Sequence, residues 1–135
     1  MTEAPLLDTH IWIWWLLGDS RLDKNKAEFL DQLPPDNRPR LCDISLWELA
    51  LLVDRGRLEL DCSLDEFLKT AAAPATVSLQ SITPAIVTEM NRLPETFHRD
   101  PADRLIVATA RNQKLALASH DQLIIGSQLI KIWNL

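Results

Sequence analysis

Short apolar segments of three to five residues alternate along this chain with longer stretches of helical periodicity, and that alternation limits the fold more than any other feature. Pro5-Leu6-Leu7 reads as a buried strand ending at Asp8; Arg40-Leu41-Cys42, Thr76 to Leu79, Leu115 to Ala118 and Leu129 to Trp133 read as the others. Helical pattern runs from His10 to Leu17 and from Asp23 to Leu33, where Pro34-Pro35 breaks it. Leu46, Leu49, Ala50 and Val53 recur at helical spacing between Ser45 and Arg55, and Gly56 stops that helix. Further helices are predicted from Leu64 to Ala73 behind Ser63, from Pro84 to Arg92 behind Thr83, and from Pro101 to Lys114. Strands this short and apolar, separated by helices, pair in parallel with helices over both faces of the sheet.

At 135 residues the chain is expected to form one domain, residues 1–135, with a core large enough to need no disulfide staples. No apolar run approaches the roughly 20 residues that span a bilayer; the longest, Ile11 to Leu17, stops at Gly18. Glu3 and Asp8 stand where a signal peptide would carry basic residues, so no signal peptide is expected, and no membrane partner either. Cys42 and Cys62 fit no C-x-x-C pairing, and with the missing signal they point to structural thiols in a reducing cytoplasm. Nineteen acids against fourteen Lys and Arg give a net charge of −5, which argues against a broad basic face for nucleic acid. A cleft of carboxylates filled with divalent cations stays compatible with that charge.

In parallel sheets, ligands bind beyond the carboxyl ends of the strands. Asp8 ends the first strand, Glu48 opens the helix after the second, Asp103 opens the longest helix, and Asp121 follows the strand at Leu115 to Ala118. Each acid also has a local role available. Ser45-Leu46-Trp47-Glu48 fits a capping box, and Asp100-Pro101 reads as an N-cap with proline at N1. Asp103 at N3 suits the helix dipole, Asp8 is placed to cap the first helix, and Asp121 to make a turn onto Leu123. Brought together without a cation, two such charges at 4 Å would repel by about 4 kcal/mol at an effective dielectric of 20. A cap contributes only about 1 kcal/mol. Either the acids stay apart, or Mg²⁺ or Mn²⁺ neutralises them.

The stretches LLDTHIWIWW, ISLWELALLVDRGRLEL and DPADRLIVATA, followed by LALASHDQLI, resemble in order and spacing the PIN-domain proteins. More narrowly they resemble the VapC-type toxins of bacterial toxin–antitoxin pairs, from about Pro5 to Trp133. The resemblance implies a three-layer α/β/α sandwich around a mostly parallel sheet, and a Mg²⁺- or Mn²⁺-dependent endoribonuclease. It matches Asp8, Glu48, Asp103 and Asp121 to the family's acids as metal-holding and catalytic residues, with Ser119-His120-Asp121 standing for its usual T-x-D. Thr9, Asp100 and Ser119 are candidates to support those ligands from behind, Asp100 mainly as the helix cap. The implied partners are an RNA substrate and an antitoxin polypeptide, with a toxin homodimer inside a hetero-oligomer. The competing reading is a catalytically silent PIN-like or receiver-like Mg²⁺-binding interaction module.

Trp12, Trp14 and Trp15 make the first predicted helix apolar nearly all round, which marks either burial between layers or a surface completed by another chain. The resemblance favours the second, with Trp12 as a contact for the antitoxin. Trp47 and Trp133 are expected in the core. His10, His98 and His120 share no metal-ligand spacing and are expected in turns or at the surface, as is Asp43; Arg104 is expected to be a structural partner.

Overall fold

The computed structural model describes residues 3–134, so the ends of the expected 1–135 span lie outside it. Its sheet has four parallel strands, β1 (Leu6–Leu7), β2 (Arg40–Cys42), β3 (Ser78–Gln80) and β4 (Leu117–Ala118), in the order β3-β2-β1-β4. Leu6 pairs with Arg40 on one side and Leu117 on the other, and Leu7 with Leu41 and Ala118. The chain therefore builds outward from β1 through β2 to β3, then returns to place β4 on the opposite flank. That reversal falls between β1 and β4, where a crevice opens beyond the strand ends.

Among the described residues, seven helices surround the sheet: α1 (Thr9–Leu17), α2 (Lys24–Asp31), α3 (Ile44–Asp54), α4 (Leu64–Ala71), α5 (Pro84–Asn91), α6 (Pro101–Gln113) and α7 (Gln122–Ile125). Because strand side chains alternate, β1, β2 and β4 each feed both cores, while the edge strand β3 leaves Leu79 exposed. Leu7, Leu41 and Ala118 pack with Ile11, Trp12, Leu30, Leu49 and Ala71 on one face. Leu6, Cys42 and Leu117 pack with Phe97, Ile106, Val107 and Ile124 on the other. The result is the expected α/β/α sandwich. No helix among the described residues is long and apolar enough to cross a membrane.

Helix ends follow local chemistry. Ser63, Thr83 and Asp100 accept backbone N–H bonds at the starts of α4, α5 and α6. Gly18 closes α1 at φ 65°, in the left-handed region where a side chain is costly.

Several expectations are corrected. The segment Leu129 to Trp133 is no strand; only Ile132 bridges Leu117, because the chain reaches the sheet edge late, after a turn with Gln128 at φ 59°. The third strand starts at Ser78 rather than Thr76, and α7 was not predicted. Trp12 is fully buried, donating Nε1 to the Ala71 carbonyl at 3.0 Å, so it is a core residue and no antitoxin contact. Trp47, expected in the core, is 53% exposed, whereas Trp133 is buried as expected. Trp15 is partly buried and ties α1 to α2 through Asp31 Oδ1 at 2.8 Å.

Candidate metal centre

Asp8 sits at the crevice between β1 and β4. Its backbone N–H donates to Ala118 O at 2.9 Å, fixing the residue to the end of the neighbouring strand. Oδ1 accepts from Thr9 N at 2.8 Å, the expected cap of α1, and Oδ2 accepts from the Ser119 hydroxyl at 2.7 Å. The same Ser119 oxygen accepts from Asp121 N at 3.0 Å, so one hydroxyl sets both acids. Asp121 in turn caps α7 by accepting from Leu123 N, the turn expected of it.

Across the crevice, the buried Thr9 hydroxyl donates to Glu48 Oε1. Its oxygen lies 2.8 Å from Ser45 Oγ, and with the Thr9 proton committed to Glu48, Ser45 is the donor in that pair. The capping box expected for Ser45 and Glu48 does not form. Asp43 holds the N-cap position without a side-chain cap bond, which puts Ser45 inside the helix, too late to cap it. Asp43 is not the surface acid expected either, since its Oδ1 is buried without a hydrogen-bond partner. Glu48 is thus held by hydroxyls and aimed at the crevice.

Asp100 caps α6 as expected, Oδ1 accepting from Ala102 N at 2.9 Å and Asp103 N at 3.2 Å. One oxygen each of Glu48, Asp100 and Asp103 lies within 4.8 Å of the other two. A second group, equally close, joins Asp103 to Asp121 and to a nitrogen of His98. Asp103 is common to both. Asp8 belongs to neither, and both its oxygens accept hydrogen bonds. His98 is no surface residue: its side chain is 20% exposed and Nε2 lies 3.2 Å from Asp103 Oδ2. That approach misses the direction of the ring N–H, so it is a close contact and not a hydrogen bond. Arg104 is structural as expected, its Nη1 donating to the carbonyls of Phe97 and His98 at 3.3 and 3.5 Å.

Ser45 and His98 are the contributors that sequence reasoning passed over. His98 lies two residues before Asp100 and five before Asp103, and that proximity was the available signal.

The electrostatics follow from this crowding. Burial, then the charges of Asp8, Asp100, Glu48 and Asp121, push Asp103 up to about 8. Burial also raises Glu48 against the opposing Thr9 bond, with Asp8 and Asp100 adding to the rise. Asp8 is raised by burial, offset in part by its bonds from Ser119 and Thr9 and by nearby His10. Carboxylates gathered at this cost, with one imidazole, suit a divalent cation.

A stability consequence follows. Asp103 titrates near 3.8 when unfolded and about 8 when folded, so between those values the folded chain binds more protons. Its contribution is fully present below pH 3.8, is lost as pH rises, and is gone above about 8. Thermal melts in EDTA should therefore show the melting temperature falling from pH 5 to 8.5, and added Mn²⁺ should stabilise more at the upper end. A melting temperature that rises over this range in EDTA would contradict the crowding.

A groove of about 560 Å³ adjoins the acids, lined by Trp14, Leu17, Trp47 and Leu58 together with Glu48 and Asp100. Trp47 and Leu17 are the exposed apolar side chains of that wall.

Comparison with known proteins places this geometry. The PIN domain family pattern matches residues 6–124. The chain is 32% identical over 117 residues to Ribonuclease VapC22 of Mycobacterium tuberculosis, covering 87% of this chain and 86% of that protein. The crystal structure of FitAcB from Neisseria gonorrhoeae superposes with a TM-score of 0.68 at 21% identity, covering 96% of both chains. FitAB bound to an IR36 DNA fragment superposes with a TM-score of 0.67 at 19% identity, covering 96% of this chain and 93% of that one. These two share the fold. With the family pattern and the VapC relative both spanning most of its length, the chain belongs to the PIN domain family, as a VapC-type member.

Proposed function

We propose that the chain is an endoribonuclease, the toxin of a toxin–antitoxin pair, which hydrolyses RNA phosphodiester bonds at the carboxylate centre with Mg²⁺ or Mn²⁺. The observation that carries this is the convergence of acids from four places in the chain on Asp103, at an electrostatic cost that no helix cap requires. Glu48, Asp103 and Asp121 would hold the cation, with Asp100 beside them and Asp8 contributing charge directly or through water. Bound there, the ion supplies neutralisation of phosphate charge and acidification of water at neutral pH.

The chain's own residues do the positioning. Ser45 and Thr9 line up Glu48, and Ser119 sets Asp8 and Asp121 together. Asp100 fixes the first turn of α6 and with it the direction of Asp103. The antitoxin polypeptide is the proposed occupant of the groove beside Glu48, where Trp47 and Leu17 leave apolar surface uncovered. A homodimer inside a toxin–antitoxin assembly, in a reducing cytoplasm where Cys42 and Cys62 stay free, completes the reading.

The test is cleavage of a total-RNA pool by purified, antitoxin-free protein with Mg²⁺, Mn²⁺ or EDTA, with Asp8→Asn alongside. Discrete cuts that need the metal, and that weaken at least about tenfold in the variant, are expected. A folded, Mn²⁺-binding protein that leaves the whole pool intact would instead support the silent interaction module.

A further inference from the structure

We infer that His98 is a nitrogen ligand of the metal centre, forming with Asp103 and Asp121 a cation position beside that of Glu48, Asp100 and Asp103, and that it biases the centre toward transition divalent cations over Mg²⁺. The inference rests on the metal-centre reading above and goes beyond its carboxylates. Among the described residues, three buried side-chain polar atoms lack a hydrogen-bond partner: Asp43 Oδ1, Trp133 Nε1 and His98 Nε2. Only His98 belongs to a group whose ligand atoms lie close enough to share an ion.

A buried polar atom without a hydrogen-bond partner is unfavourable, so its place beside Asp103 needs an account. Nε2 stands 3.2 Å from Asp103 Oδ2 yet misses a hydrogen bond to it. A shared cation satisfies both atoms without requiring the ring N–H to point at the oxygen.

The imidazole is also held in place. Arg104 Nη1 grips the backbone carbonyls of Phe97 and His98, and the Phe97 ring packs against the imidazole with centroids 4.6 Å apart. Phe97 is itself buried among Leu93, Ile106 and Ile124. A side chain anchored from both backbone and ring, with its nitrogen left open toward two carboxylates, has the form of a ligand.

The chemical consequence is selectivity. Mg²⁺ takes oxygen ligands and sheds water reluctantly, whereas imidazole favours later divalent ions. A centre with Asp103 shared between two positions, one carrying nitrogen, discriminates at that position.

The test uses full-length protein in wild-type and His98→Gln forms, Gln keeping a polar group of similar reach. Pulsed electron paramagnetic resonance of bound Mn²⁺ reads nitrogen coupling, and competition titration reads Co²⁺ against Mg²⁺ affinity. Circular dichroism confirms that the variant folds. Wild type should show nitrogen coupling that His98→Gln abolishes, with Co²⁺ binding weakened about tenfold or more and Mg²⁺ binding changed much less. Coupling absent from Mn²⁺-loaded wild type, or surviving in the variant, would overturn the inference and leave the carboxylate centre standing. Folded wild type that binds no divalent cation would overturn both.

Discussion

Asp103→Asn should cut metal-dependent RNA cleavage by at least about 10²-fold while raising the melting temperature of the metal-free protein at pH 8. The two effects have one cause. Asp103 is the acid shared by both candidate ligand groups, so the amide removes a charge that the cation needs. In EDTA the same charge is a liability, because the carboxyl is buried among Asp8, Asp100, Glu48 and Asp121 and is held near 8. Asparagine keeps the shape and removes the repulsion. A helix-capping role makes the opposite stability forecast, since an acid in the first turn gains about 0.3–1 kcal/mol from the helix dipole. Melts in EDTA at pH 8 beside cleavage assays in Mn²⁺ separate the two: a variant both inactive and less stable would return Asp103 to the helix end.

Trp12→Ala should destabilise the fold by about 3–5 kcal/mol, as truncation of a fully buried aromatic does. It leaves a cavity between α1 and the sheet and strips the Ala71 carbonyl of its buried donor. Trp47→Ala should behave inversely. With Trp47 half in solvent on the groove wall, its loss should change stability within about 0.5 kcal/mol and weaken antitoxin binding by about tenfold or more. Urea melts and a binding titration on both variants check the pair. Normal antitoxin affinity for Trp47→Ala would take the partner away from this groove.

That reversal of the two tryptophans shows where sequence stops informing. Both α1 (THIWIWWLL) and α3 (ISLWELALLVD) are apolar on nearly every side, so periodicity cannot say which face meets the sheet. Helices with polar signals were legible: Ser63, Thr83 and Asp100-Pro101 mark the starts of α4, α5 and α6 as the chain folds them. The strands were legible as apolar pairs and triplets, but LIKIW near the end looks as strand-like as they do and makes one bridge only. Strand pairing at an edge depends on where the chain arrives, which local sequence does not carry.

The site divides in the same way. Asp8, Asp100 and Asp121 were readable as caps, and each caps. Their approach to Glu48 and Asp103 comes from a parallel sheet that reverses its build between β1 and β4, a property of the whole chain. Glu48 was readable as a capping-box acid and is not one, because the helix starts two residues earlier than a cap at Ser45 implies. His98 looked idle because its partners sit one turn into α6 and at the start of α7, with no fixed spacing among the three.

The most direct measurement is an anomalous-scattering map from crystals of the protein soaked in Mn²⁺. A peak coordinated by Asp103 and at least one of Glu48, Asp100 and Asp121 is the expected result. Crystals of nuclease-active protein with Mn²⁺ bound elsewhere, or with nothing at Asp103, would contradict the account.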